Sequence, residues 1–468
     1  MPDNGFFKHS FWYFFAEVFN KGLVFLTLPI FTFLLTPAEF GVMSIFTTIT
    51  AILIVMMSLS SHQSILRNYH NQDIHFNVFL GALLPFITVF TVFCLGSIYF
   101  FKSDLSILIK VDEEIVFLAS LVAFFGVFLQ LELSYLLASK KSKTYTKILI
   151  LRNTLIIALS VVFILSLDKN IYYGRFYAEL LVGALLFLFS VVSLARLSKF
   201  SVNIAMIKQS LQYSLPLVVS GLAGLILLSS DVIFINSFWG AEKAGLYAFA
   251  FSISMIIYVL ISAINNAWLP FYYQSINENQ TESIESVVTL NVKIVFLFSF
   301  LVVACSEYVV LMLAPESYYE AHALIPVIVM GFVFLFLSNL FVAHLMYCKK
   351  TLSVAVIILI AAIINVGLNY YFIPLYGYFV AAWTTLISYV VLFILNGAYV
   401  FFQKEKNLPL FSIIKLFLIF FVLFTMGVTV EIETLLGEVL FKIVLLSMLV
   451  YSYKLHEFNF KKFKKSLR

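Results

Sequence analysis

Long apolar runs fill most of the chain, and short polar stretches separate them. A helix that crosses a membrane needs roughly 20 mainly apolar residues, and by this requirement the sequence predicts about fourteen spans. Their predicted limits are 10–35, 41–62, 77–101, 115–138, 148–167, 176–195, 214–237, 246–271, 289–313, 323–347, 352–373, 377–402, 411–430 and 435–455. The pattern therefore predicts an all-α, polytopic membrane protein.

One pattern occurs about twice along the chain. Residues 21–48 and 227–252 each contain an apolar run, a tight polar corner, a glycine and a second apolar run. The corner at 241–245 matches the one at 38–41 with one residue inserted. Such a repeat predicts two similar six-helix lobes in a pseudo-twofold relation. Residues 1–200 would form the N-terminal lobe and 201–403 the C-terminal lobe, while 404–468 would hold two extra spans and a basic tail.

The distribution of lysine and arginine between the spans predicts the orientation. With the N-terminus inside, twenty of these residues fall in cytoplasmic segments. Only five fall on the opposite side, namely Lys102, Lys110, Lys169, Arg175 and Lys243. Cytoplasmic segments of membrane proteins carry such an excess, so both termini are predicted to be cytoplasmic.

The composition argues against a soluble protein and against a nucleic-acid-binding protein. With 62% hydrophobic and 11% charged residues, a chain of 468 residues could not bury its apolar surface as a soluble protein. The net charge of +5 includes a basic tail just after the last span, which favours an anionic membrane leaflet over nucleic acid as partner. No spacing of cysteine or histidine indicates a metal site, and no cofactor is predicted.

The connection at 196–213 has an apolar stripe that predicts an interfacial helix between the lobes.

Three stretches resemble the polysaccharide transporters of the Wzx flippase type, which belong to the MOP superfamily with lipid II flippases and MATE exporters. They are the hairpin LPIFTFLLTPAEFGVMSIF with SILRNY, then SLPLVVSG with SSDVIFINSFWGAEKAGLYAFA, and then INVGLNYYFIPLYGYFVAAWTTLISY. Their order along the chain matches that of the family. The third stretch departs from the family pattern after its tyrosine-glycine corner, which puts close packing there in doubt.

The resemblance implies a flippase, not an enzyme, in the bacterial inner membrane. Its substrate would be an undecaprenyl-diphosphate-linked oligosaccharide, such as an O-antigen or another surface-polysaccharide repeat unit. Membrane lipid would be a partner, and a polysaccharide polymerase and chain-length regulator are further possible partners. A cation-coupled MATE-like antiporter is the alternative, and a membrane glycosyltransferase or polymerase is disfavoured because no large outer loop could carry its catalytic groups.

Charges inside predicted spans are the candidates for substrate binding, because an intramembrane charge is costly unless it faces protein or water. Lys21 lies deep in the first span with Glu17 one turn earlier. Either the two form a structural ion pair, or Lys21 lines a central cavity and attracts a diphosphate while Glu17 moderates it. Both alternatives stay open.

The other candidates are Arg67, Arg152, Asp231, Asn236 and Lys442. Asp231 is either a hydrogen-bonded interior acid or a proton or cation site, which would matter most in an antiporter. Arg67 and Arg152 either anchor their spans at the interface or capture a headgroup. Glu132 is the predicted partner of Arg152. Lys442 lies against the expected charge bias, so it needs either a partner acid or a lipid site.

Overall fold

The computed structural model describes residues 19, 22–23, 25–72, 74–403, 408–430, 432 and 434–453. Within these residues the chain forms helices α1 to α16 and one 3-10 helix, Glu316–Leu324. The helices are α1 Phe25–Leu34, α2 Pro37–Ser58, α3 Ser61–Asn68, α4 Phe76–Ile109, α5 Glu113–Ala138, α6 Ser142–Ser166, α7 Tyr173–Leu197, α8 Ile204–Ser229, α9 Asp231–Trp239, α10 Ala241–Asn277, α11 Thr281–Leu313, α12 Ile325–Tyr347, α13 Thr351–Tyr376, α14 Val380–Phe402, α15 Leu410–Thr429 and α16 Leu435–Ser452.

Twelve helical segments of the described chain are long and apolar enough to cross a membrane. They include every helix from α2 to α15 apart from the short α3 and α9, and the 3-10 helix runs into α12 as part of one segment. With the shorter α1 and the 18-residue α16, the helices agree with the predicted polytopic protein of about fourteen spans.

The first predicted corner is fixed by local hydrogen bonds. The Thr36 side chain accepts from the Glu39 backbone amide, while the Glu39 carboxylate accepts from the Thr36 amide at 2.9 Å. This reciprocal cap, with Pro37 in the first helical turn, sets the start of α2. At the other end, Leu59 and Ser60 are both left-handed, with φ of 48° and 52°. Two such residues in succession end α2 and turn the chain into the short α3.

The predicted interfacial helix at 196–213 is wrong. Residues 198–203 are not helical, and from Ile204 onward the segment is already the first part of α8. The Asn203 side chain caps this helix by accepting from the Met206 amide at 3.1 Å. The Lys199 amide donates to the Asn77 carbonyl at 2.8 Å, which holds the non-helical segment against the start of α4.

Contacts divide the chain into two compact units. The first comprises Met1–Ala248 and Val366–Tyr378, and the second comprises Phe249–Asn365 and Phe379–Arg468. Grouping by contact differs from grouping by repeat, so the lobes at 1–200 and 201–403, with the extra spans at 404–468, stay a prediction.

In the first unit, α5 lies at the centre of the helices. It packs against α2, α3, α4, α6 and α7. Its buried side chains Val127 and Leu131 belong to an apolar core with Phe79 and Ile87 of α4. In the second unit, α12 packs against α11 and α14, while α11 also contacts α15 and α16. Burial of apolar side chains between helices holds each unit together.

Candidate functional site

The two repeated corners meet within the first unit. A Cβ atom built on Gly41 would lie 2.0 Å from the Ala241 carbonyl oxygen, and one built on Gly245 would lie 1.7 Å from the Pro37 carbonyl oxygen. Real Cβ atoms do not approach other atoms so closely, so only glycine allows α2 and α10 to cross at this distance. The two polar corners of the sequence repeat therefore contact each other through their backbones.

A buried polar cluster is centred on Asp231, which precedes the second corner in the sequence. Asp231 begins α9 and is 1% exposed, and both of its carboxylate oxygens accept hydrogen bonds. The Tyr247 hydroxyl donates to one oxygen, and the Asn369 amide donates to the other at 2.6 Å. The tyrosine comes from α10 and the asparagine from α13, so this cluster ties three helices together.

The rest of α9 is held by side chains that donate to backbone carbonyls. Asn236 donates to the carbonyl oxygens of Ile109 and Lys110 at 2.8 and 3.0 Å, where α4 ends. The Trp239 indole donates to the Ile373 carbonyl at 2.9 Å. Asn236 therefore lies beside the end of α4, and its amide has a structural role there.

The two arginine candidates have separate surroundings. The Arg67 guanidinium lies 4.5 Å from the centre of the Tyr213 ring, a cation–π contact between α3 and α8. Arg152 interacts electrostatically with Glu179 and Arg175 of α7. Arg175 and Glu179 form an i, i+4 ion pair within α7, with Nε and Oε1 2.9 Å apart.

The predicted pairing of Arg152 with Glu132 is wrong. The Glu132 carboxylate is buried and accepts from the Ser193 hydroxyl at 2.9 Å. Glu132 and Arg152 therefore each have polar neighbours on α7 instead of contacting each other. The position of each residue along its own span could not reveal this.

The remaining candidates fall into two groups. Lys442 pairs with Glu438 one turn earlier in α16, so it has the partner acid that its unusual position required. Lys21 and Glu17 lie outside the described residues. Across the part of the chain that is described, no three histidine, cysteine or acidic side chains are grouped so as to hold a metal ion.

Sequence reasoning found Asp231 but missed its partners. Tyr247 and Asn369 both lie within the stretches that carry the family resemblance, AGLYAF and INVGLNYY. A signal was present, because an asparagine inside a strongly apolar span is costly without a hydrogen-bond partner. The sequence does not show which residue is the partner, because 138 residues separate Asn369 from Asp231.

Long apolar helices, a glycine-mediated crossing and a buried acid characterise a polytopic α-helical membrane protein. The model of the polysaccharide biosynthesis protein family matches residues 6–274, more than half of the chain, and the chain belongs to this family. The model of the MatE family matches residues 216–371. These matches confirm the predicted resemblance to the polysaccharide transporters of the MOP superfamily.

Known proteins resemble this chain in sequence or in fold. Protein 1 of the Lsg locus of Haemophilus influenzae is 22% identical over 369 residues, which cover 78% of this chain and 86% of the relative. The lipid II flippase MurJ in an inward closed conformation superposes with a TM-score of 0.73 at 15% identity, covering 96% of this chain and 99% of MurJ. A multidrug MATE transporter of the MOP superfamily, inward-facing, gives 0.65 at 17% identity over 82% of this chain and 96% of its own. At these identities the structural similarity establishes the fold.

Proposed function

We propose that this protein is a flippase that moves a lipid-linked oligosaccharide across the bacterial inner membrane, from the cytoplasmic to the outer leaflet. The observation that carries the proposal is the match to the polysaccharide biosynthesis family over residues 6–274. The substrate would be an undecaprenyl-diphosphate-linked repeat unit such as an O-antigen. Both termini would be cytoplasmic, and a polymerase and chain-length regulator would use the product.

Alternating access is the mechanism that fits this fold. Two lobes rock about a substrate site near the middle of the membrane, so that the site opens to one side at a time. The glycine contact between α2 and α10 is a suitable closure for the outer side, because it forms only when the two corners meet without side chains between them. Lys21 would attract the diphosphate, and Glu17 would limit the excess positive charge. Arg67 and Arg152 are weaker candidates because each already has aromatic or charged neighbours.

A cation-coupled antiporter is the second candidate, and two observations support it. The MatE family matches residues 216–371, and this segment contains Asp231 and Asn369. A buried carboxylate with hydroxyl and amide neighbours has the chemistry of a proton or small-cation site. Coupling of glycan transport to a cation gradient through Asp231 would combine both observations.

A flipping assay in vesicles tests the proposal. The purified protein is reconstituted with a fluorescent polyprenyl-diphosphate saccharide, and an impermeant reagent then quenches the label in the outer leaflet. We expect rapid quenching of the whole label population with wild-type protein, little acceleration over empty vesicles with Lys21→Ala, and partial activity with Lys21→Arg. Wild-type activity in the double variant Glu17→Gln/Lys21→Met would exclude headgroup capture by Lys21.

The same vesicles separate the two candidate functions. A flippase accelerates quenching of the lipid-linked saccharide, whereas an antiporter releases a loaded cationic dye when a sodium or proton gradient is imposed. Dye release with no lipid movement would replace the proposed function by the antiporter.

A further inference from the structure

A polar pocket of about 450 Å³ lies within the second unit and includes Lys442. It is formed where α11 and α15 approach their C-terminal ends, where α16 begins, and along the 3-10 helix. Its polar wall consists of Ser306, Glu307, His322, Glu438 and Lys442. The predicted topology places these helix ends toward the outer side of the membrane.

The pocket has one fixed cationic group. Lys442 pairs with Glu438, and its Nζ lies 5.5 Å from the centre of the Tyr308 ring. These contacts hold the ammonium in place but leave N–H donors for a further acceptor, since a lysine ammonium has three. An anionic group such as a phosphate fits beside Lys442.

Acceptors for a cation also line the pocket. Glu307 is exposed and contributes a carboxylate. The His322 Nδ1 lies 2.8 Å from the Tyr319 carbonyl oxygen, and because a carbonyl only accepts, Nδ1 carries the proton. In the neutral imidazole the lone pair is then on Nε2. Glu307 and His322 together can accept hydrogen bonds from a primary ammonium.

The surroundings of the pocket are apolar. Val428 and Val430 line it and are 43% and 42% exposed, and Leu436 and Leu440 on α16 are exposed as well. Exposed apolar side chains on spanning helices face the acyl chains of lipids. The site therefore combines a polar wall for a charged headgroup with apolar contacts for its chains.

We propose that this pocket binds the headgroup of a zwitterionic phospholipid that carries a primary ammonium, as in phosphatidylethanolamine. The ammonium donates to Glu307 and His322, and the phosphate accepts from Lys442. A choline headgroup has no N–H to donate, and an anionic headgroup without an amine would face Glu307 unfavourably. This lipid would be a resident of the second unit, distinct from the transported substrate.

Lipid binding to the full-length protein tests the proposal. The protein is purified in detergent, and phosphatidylethanolamine, phosphatidylcholine and phosphatidylglycerol with identical chains are titrated while bound lipid is counted by native mass spectrometry. We expect the ethanolamine lipid to bind about tenfold more tightly than the other two, as one or two charge-assisted hydrogen bonds would give.

Variants assign this preference to the pocket. Glu307→Gln changes an exposed side chain and should reduce the preference about tenfold. Lys442→Met combined with Glu438→Gln removes both charges together, so that neither is left alone, and should abolish it. The control is Glu113→Gln, which breaks the 3.3 Å ion pair with Lys102 in the first unit and should leave the preference unchanged.

Three outcomes would overturn the proposal. They are equal binding of the three lipids, tightest binding of phosphatidylglycerol, and an unchanged preference in Glu307→Gln.

Discussion

At the scale of single residues, Asp231 joins α9 to α10 and α13 through hydrogen bonds. It lies inside the protein and receives hydrogen bonds from Tyr247 and Asn369, so its removal would break both of these bonds. Loss of a buried hydrogen bond of this kind costs roughly 1–3 kcal/mol. We expect Asp231→Ala to lower the free energy of unfolding by about 2–5 kcal/mol, measured by thermal or denaturant unfolding in detergent.

Ser237 offers a matched control on the same helix. Its hydroxyl donates to the carbonyl of Ile233 one turn earlier, a bond whose loss leaves no other side chain unpaired. Ser237→Ala should therefore change stability by less than about 1 kcal/mol. Equal losses from the two variants would mean that the Asp231 cluster does not hold α9, α10 and α13 together.

His62 is a second residue with a defined consequence. It belongs to α3, outside the membrane-spanning helices, and burial lowers its pKa to about 4. Its Nε2 lies 3.1 Å from the Gln63 amide nitrogen, which can only donate, so Nε2 accepts and the neutral ring is favoured. Protonation of the ring would remove this acceptor.

A pH dependence of stability follows from His62. Its pKa in the folded protein lies below the ordinary value of 6.5, so between these two values the unfolded chain binds more protons. We therefore expect the free energy of unfolding to fall as the pH falls from about 6.5 to 4, by at most about 3 kcal/mol. His62→Gln should flatten this slope, whereas His75→Gln, at an exposed position, should not. The melting temperature across this pH range is the measurement.

At the scale of helices, the crossing of α2 and α10 depends on two glycines. In Gly245→Ala the new methyl would lie 1.7 Å from the Pro37 carbonyl oxygen, so the helices would have to separate. We expect a loss of about 1–3 kcal/mol in stability and a marked loss of flipping in the vesicle assay. Gly96→Ala is the control, because Gly96 lies in α4 with nothing within 4 Å of the new methyl. An active Gly245→Ala variant of normal stability would show that the close contact is dispensable.

Helices could be predicted from the sequence where one physical signal dominates. Apolar runs of sufficient length predicted the spans, and the repeated corner predicted a pair of related turns. The break after α2 was missed, because Leu59 and Ser60 are not residues that usually mark a left-handed turn. The segment at 196–213 was misassigned because the apolar stripe at Ile204, Ile207 and Leu211 suits an interfacial helix and the first turns of a spanning helix equally well.

The candidate site, like the helices, could be predicted only where the signal is local in the sequence. Asp231 could be found because a charge in an apolar run is visible locally, whereas the sequence does not show that Tyr247 and Asn369 contact it. The i, i+4 pair of Arg175 and Glu179 was predictable because it lies within one helix. The Glu132 contact with Ser193 joins two helices and could not be inferred from either span alone.

At the scale of the whole molecule, the contact between the corners gives the transport proposal its sharpest test. Rocking of two lobes requires the corners at 36–40 and 240–244 to separate when the outer side opens. In a variant without Cys94, Cys305 and Cys348, we introduce cysteines at Ala38 and Ala241, which flank the glycine crossing. We expect an oxidant or a short linker to join them efficiently, to stop flipping, and to allow recovery on reduction.

Single-cysteine variants at each position, treated with the same oxidant, exclude chemical damage as the cause of the block. The flipping rate should also increase with the length of the linker, because a linker long enough to let the corners separate would permit some turnover. If the shortest linker joins nearly all molecules and flipping continues at the wild-type rate, the corners do not separate during transport. The crossing at Gly41 and Gly245 would then be a permanent joint of the first unit, and substrate would have to leave by a path that keeps α2 and α10 together.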